Sequence, residues 1–214
     1  MLYNDSNNWL KFTQHILKYE GGLSKRASDE SASKCVQSGQ FHTNKGVTFC
    51  TFKERAEKLG ISPVSYERFL NLTDEDVAKF IYAYYNGVNG SSYPDSIALA
   101  MTEASWGGGP VFAQLYKALS NLGQPVSTKK DSIIAVDKLP ERMVFDEFMK
   151  IRKQYLQTLM LSPKYSMNTG WIPRLKSFYD NFNPDVIGSK KKLTAVLLFP
   201  ILLISFFLIF KQSK

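Results

Sequence analysis

The sequence predicts a mainly helical α+β domain with a small β patch, followed by one C-terminal transmembrane helix. Three observations carry this. Apolar residues recur at helical spacing through most of the chain before the tail, interrupted by glycine, proline and Thr/Ser cap signals. The stretch between the first two helices lacks that period and ends on Val47-Thr48-Phe49-Cys50, which favours a short strand. Leu193 to Phe210 runs 18 residues without a charge.

Taken in order, Trp9, Phe12, Thr13, Ile16 and Glu20 lie on one helical stripe, with Leu10, Gln14 and Leu17 beside it. Gly21-Gly22 is expected to end this helix by a left-handed cap. Residues 23–45 are rich in Ser, Lys and Gly and read as a loop or irregular hairpin. Thr51-Phe-Lys-Glu54 reads as a capping box opening a helix that Gly60 stops. Ser62-Pro63 opens another, with proline in the first turn. Thr73-Asp-Glu-Asp76 opens a third through Phe80, Ile81 and Tyr84. Tyr93-Pro94-Asp95 starts a helix through Ile97, Met101 and Ala104, Gly107-Gly108-Gly109 breaks it, and Pro110 starts the next. A long helix is expected over Leu139 to Leu161 and a final one after Trp171. There are no internal repeats.

Composition narrows the function classes. With 44% hydrophobic and 21% charged residues the chain is ordinary globular protein, and 15 Phe, 11 Tyr and 3 Trp supply a sizeable core. The net charge of +8 is concentrated at one end: five lysines (Lys190, Lys191, Lys192, Lys211, Lys214) and no acid fall in residues 190–214, leaving 22 basic against 19 acidic residues, or +3, before them. This excludes a nucleic-acid groove as the meaning of the charge, and no zinc-finger or RNA-binding signature is present. Two histidines, His15 and His42, and two cysteines fit no metal spacing, so no metal or cofactor is expected. Cys35 and Cys50 either pair in an oxidising compartment or stand as two thiols.

The tail Leu193–Phe210 is about 27 Å long as a helix, close to the ~30 Å of a bilayer core. Lys190–Lys192 and Lys211 flank it where they reach head groups. Its expected partner is therefore a lipid bilayer. More positive charge precedes the span than follows it, so the positive-inside rule keeps the large N-terminal part on the cytoplasmic side. The N-terminal MLYNDSNNWL shows no secretory signal pattern.

Glu20 is the side chain with most chemical interest. It sits at a helix C-terminus on the edge of the apolar stripe, where macrodipole and partial burial both disfavour negative charge. A glycosidase general acid needs that setting; an exposed helix-end glutamate has the same spacing. Trp106 and Trp171 are candidate sugar-contacting aromatics, and both also suit core packing. Tyr82, Tyr84 and Tyr85 read as core, and Arg174 as one half of a structural ion pair.

Tyr19-Glu20-Gly21-Gly22, Asp29 nine residues after the glutamate, and Thr43-Asn44-Lys45-Gly46-Val47-Thr48 with Thr51-Phe52 resemble the N-terminal part of the glycoside hydrolase 108 muramidases, found among phage endolysins and bacterial secretion activators. Ile97-Ala98, Glu103 to Gly109, Arg152–Tyr155 and Gly170-Trp171-Ile172-Pro173-Arg174 resemble the peptidoglycan-binding segment that follows it. The chain departs from the pattern in a longer stretch, Glu30 to His42, without the usual Gly-Gly, and in carrying Glu103 where aspartate is common. The resemblance implies a lysozyme-like fold, with residues 1–92 as the catalytic part and 93–185 as a helical binding-like part packed with it; the apolar run and its lysines make residues 190–214 the anchor with its basic flanks. It implies that Glu20 protonates the leaving glycosidic oxygen, that Asp29 stabilises the oxocarbenium-like transition state or activates water, and that Thr43 positions that water. Asn44, Trp106 and Trp171 then contact substrate, and the partners are peptidoglycan glycan strands. The activity expected is hydrolysis of the β-1,4 bond between N-acetylmuramic acid and N-acetylglucosamine, tethered to a virion membrane or bacterial inner membrane. A lytic transglycosylase or a non-catalytic, membrane-anchored peptidoglycan-binding protein are the alternatives.

Overall fold

The computed structural model describes residues 7–25 and 33–188. Ten α-helices and one two-stranded antiparallel sheet are found among them. Helix α1 spans Asn7–Tyr19, strands β1 and β2 span Thr43–Asn44 and Val47–Thr48, and α2 spans Phe49–Arg55. Then follow α3 (Tyr66–Leu70), α4 (Asp74–Gly87), α5 (Asp95–Trp106), α6 (Val111–Asn121), α7 (Lys129–Lys138), α8 (Glu141–Met160), α9 (Trp171–Phe182) and α10 (Pro184–Ile187).

The centre of the molecule is α5. Ser96 through Ala104 are buried without a break, the mark of a helix covered on all sides rather than amphipathic. Helices α4, α6, α8, α9 and α10 pack around it. Helix α1 instead buries a single stripe, Trp9, Phe12, Thr13, His15 and Ile16. Phe12 and His15 meet Phe178 and Phe182 of α9 with ring centroids 5.4–6.1 Å apart. The first and last parts of the described chain therefore share one aromatic seam.

Several elements start where their chemistry was expected. Thr73 and Asp76 form the capping box of α4, each side chain taking the other's backbone N–H at 3.1 and 2.9 Å. Gly60 turns left-handed (φ 68°) after a 3₁₀ turn, Glu57–Leu59. Others shift. The helix expected from Thr51 begins at Phe49, because Thr48 is the cap: its hydroxyl accepts the Thr51 N–H at 3.1 Å. The expected strand residues Phe49 and Cys50 thereby join α2. Ser65, rather than Ser62, caps α3. Neither Gly21 nor Gly22 takes a positive φ; α1 ends because the chain beyond Glu20 extends to pair Ser24 with Thr43, Ser24 N–H donating to Thr43 O at 2.8 Å. Helix α7 was not expected; its Thr128 cap accepts from Asp131 N–H at 3.1 Å, a signal visible as Thr128-x-x-Asp131.

Cys35 and Cys50 are joined in a disulfide that ties the loop before β1 to the first turn of α2. Among the described residues no helix is long and apolar enough to cross a membrane. The expected span at Leu193–Phe210, and with it the bilayer partner, lies outside them.

Candidate active site

Glu20 is the first residue past α1. Its N–H still donates to Ile16 O at 3.0 Å, so its side chain leaves in the register of the apolar stripe and enters the space between the ends of α5 and α9. Only 18% of that side chain is exposed. Two donors converge on a single oxygen: Trp106 Nε1 at 2.7 Å and Arg174 Nη1 at 2.7 Å from Oε1. Trp106 is the last residue of α5, and Arg174 lies in the first turn of α9.

The other carboxyl oxygen faces the β-hairpin. Lys45 and Gly46 make a two-residue turn with φ of 47° and 80°, the doubly left-handed geometry that matches hairpin twist. A Cβ on Gly46 would lie 2.6 Å from Glu20 Oε2. Glycine is required there twice over, by its backbone angle and by the approach of the carboxyl group. Lys45 Nζ pairs with Asp74 at 2.5 Å and moors the turn to the start of α4.

Behind Glu20 the charges alternate. Arg174 Nε also lies 3.1 Å from Glu103 Oε1, and Arg152 Nε lies 3.7 Å from Glu103 Oε2. The Arg152 and Glu103 side chains are 2% and 5% exposed. Burial alone depresses a guanidinium; at Arg174 the carboxylates of Glu103 and Glu20 outweigh it and hold the group above its ordinary range. At Arg152 burial prevails over Glu103, and the group sits below it. The Gly107–Gly109 break has a second purpose besides ending α5: a Cβ at Gly107 would come 2.7 Å from the Arg152 guanidinium.

Beside the carboxyl group, Trp106 meets Tyr84 edge-on with centroids 5.2 Å apart, and the Arg55 guanidinium lies 5.4 Å from the Tyr84 ring centre. The two rings, both partly exposed, form an aromatic wall next to Glu20.

The expected site residues are placed unevenly. Glu20 and Trp106 are in direct contact. Thr43 stands in β1 opposite Thr48, with its hydroxyl 2.9 Å from His42 Nδ1. Asn44 was expected to touch substrate, but it is buried and its amide donates to Phe69 O and Leu70 O at 2.8 and 3.1 Å. Adjacent strand residues point to opposite faces, so Asn44 fastens the hairpin to α3 while Thr43 takes the other side. Trp171 heads α9, half-buried, against Tyr165 at 5.7 Å. Asp29 lies outside the described residues. Arg174 does close an ion pair, as its sequence context implied, but its partners, Glu20 and Glu103, were not legible. Tyr84, expected in the core, is partly exposed beside Trp106. Among the described residues no group of three or more His, Cys, Asp or Glu side chains is placed to hold a metal ion.

No curated protein matches the chain. The structure is similar to one titled "Structure of Brucella abortus SagA", with 22% identity, a TM-score of 0.57, and coverage of 81% of this chain and 92% of that one; this likeness concerns the fold. The family model described as Glycosyl hydrolase 108 matches residues 13–109, which include Glu20, the Thr43–Thr48 hairpin, Glu103 and Trp106. Over that segment the chain is similar to glycosyl hydrolase family 108, on a fold of this kind.

Proposed function

We propose that the protein is a muramidase hydrolysing the β-1,4 bond between N-acetylmuramic acid and N-acetylglucosamine of peptidoglycan, with Glu20 as the general acid. The observation that carries this is the grip on Glu20: one oxygen held by Trp106 and Arg174, the other turned to the bare Cα of Gly46. A proton carried on Oε2 is then the one presented to the glycosidic oxygen. As that oxygen takes the proton, the C1–O bond breaks and positive charge builds on the sugar ring. Water adds to C1, with Asp29 stabilising the cationic ring or removing the water's proton, and Thr43 positioning the water. The Tyr84–Trp106 wall offers apolar faces for the sugar rings.

Leu193–Phe210 anchors the enzyme in a bilayer and confines cleavage to the wall nearest the membrane, raising the local concentration of enzyme on substrate. The Cys35–Cys50 disulfide favours an oxidising, extracytoplasmic site of action, opposite to the side that the flanking lysines favour, so the enzyme has to be delivered to the wall, by a virion or by inverted insertion. A virion membrane that must open the wall locally suits both features.

Full-length protein in detergent should release reducing ends from purified peptidoglycan. Glu20→Gln, which keeps shape and removes the proton, should lower that rate by at least ~10²-fold. Wild-type activity in the variant would refute Glu20 as the acid, and products ending in anhydro-muramic acid would make the enzyme a transglycosylase. Full-length protein should remain with lipid through a high-salt wash and be released by detergent; recovery in the soluble fraction would sink the anchor.

A further inference from the structure

We propose that Arg174 and Glu103 act as a positioning pair for Glu20: Arg174 holds the carboxyl group in place, and Glu103 offsets the guanidinium's charge so that Glu20 can both carry and release a proton. The inference rests on Glu20 being the general acid.

Arg174 Nη1 lies 2.7 Å from Glu20 and Nε 3.1 Å from Glu103, so one guanidinium bridges two carboxyl groups. The guanidinium that grips Glu20 is thereby shared with a second carboxyl group, and its charge is not directed at Glu20 alone. Glu103 is itself buried, and Arg152 on its far side compensates it, as a buried charge requires. The row Glu20, Arg174, Glu103, Arg152 thus leaves Arg174 partly neutralised before the reaction. When the proton departs, negative charge develops on Glu20 with a donor already in position, which costs no reorganisation.

The other charged groups near this row are His15 and Lys18 of α1, Lys45 on the hairpin, paired with Asp74, and Arg55 beyond Trp106 and Tyr84. The ion-pair partner of Glu20 among the described residues is Arg174. Arg152 and Arg174 both lie beyond residue 109, where the family match ends. The C-terminal helices therefore complete the acid's setting.

The test compares the pH dependence of kcat for full-length protein in detergent on soluble, uncrosslinked glycan strands. Arg174→Gln should lower kcat by about tenfold or more with KM changed less than about threefold, and move the alkaline limb of the profile upward by about one pH unit. Glu103→Gln should move the same limb downward. Arg174→Lys, which restores the charge without the fork, should return the limb but not the full rate. Opposite shifts are the signature, because a merely structural role would lower rates without moving the limb in two directions. Limbs that stay in place, or move the same way, in variants with wild-type circular dichroism overturn the proposal. If either single variant fails to fold, the Glu103→Gln/Arg152→Gln double variant removes the outer pair together; its limb should also move down, and an unmoved limb overturns the pairing. Wild-type protein that is active and depends on Glu20 without these shifts defeats the positioning pair alone. A chain that is inert, or that ignores Glu20→Gln, defeats the acid assignment and this inference with it.

Discussion

On its hairpin side Glu20 meets a bare Cα, that of Gly46; on its helical side it meets an indole N–H and a guanidinium backed by a second ion pair. The hairpin side is made of two-residue strands and is held by local devices: the Lys45-Gly46 turn, the Asn44 amide and the Cys35–Cys50 disulfide. The helical side is held by distant ones, since Trp106 and Arg174 lie 86 and 154 residues from Glu20 in sequence. The difference shows that shape and charge at one carboxyl group can be supplied separately. A short loop suffices to leave room, whereas fixing buried charges requires several helices to exclude water and supply counter-charges.

The largest expected effect lies on the helical side. Arg152→Ala leaves Glu103 buried with one partner fewer, and should cost about 3–5 kcal/mol of stability in urea unfolding. A loss under about 1 kcal/mol would show that the outer pair is dispensable and that the helical side does not depend on charge balance.

His15 tests the α1–α9 seam on the same side. Burial first, then the charges of Arg174 and Lys18, lower its pKa from 6.5 to about 4 in the folded protein. Between these values the unfolded chain binds more protons, so stability is complete above pH 6.5 and is lost as pH falls toward 4, by about 3 kcal/mol. His15→Leu should flatten that part of the stability profile. An unchanged slope would mean another group carries it.

The disulfide is the corresponding test of the hairpin side. It joins positions 15 residues apart, and removing it with paired Cys→Ser changes should cost up to ~3 kcal/mol by loop entropy. The loss should come first in activity and in proteolysis near residues 33–50, with the aromatic seam of α1 and α9 intact. Equal protection of both regions would erase the distinction between them.

The smallest effects separate two kinds of glycine. Gly46→Ala places a Cβ against Glu20 at a positive φ and should reduce the rate by about tenfold, with a stability loss of about 1 kcal/mol. Gly22→Ala meets nothing within 4 Å and should change stability by less than about 0.5 kcal/mol. If the two substitutions behave alike, the close approach of Gly46 is not what sets the carboxyl group.

The sequence by itself determined the local features. The stripe Trp9, Phe12, Thr13, Ile16 and the box Thr73–Asp76 are set by neighbours a few residues away, through side-chain spacing and hydrogen bonds. Glu20 was marked by the same local pattern and by the resemblance around it. Boundaries moved where two caps competed, as when Thr48 displaced Thr51. Only the tertiary structure decided that Arg174 faces Glu20 and Glu103, that Asn44 turns inward to α3, and that Tyr84 stands beside Trp106 rather than in the core. Those outcomes depend on which helices pack around α5. A buried charge takes whichever counter-charge the packing brings within reach, and no spacing along the chain encodes a partner 154 residues away.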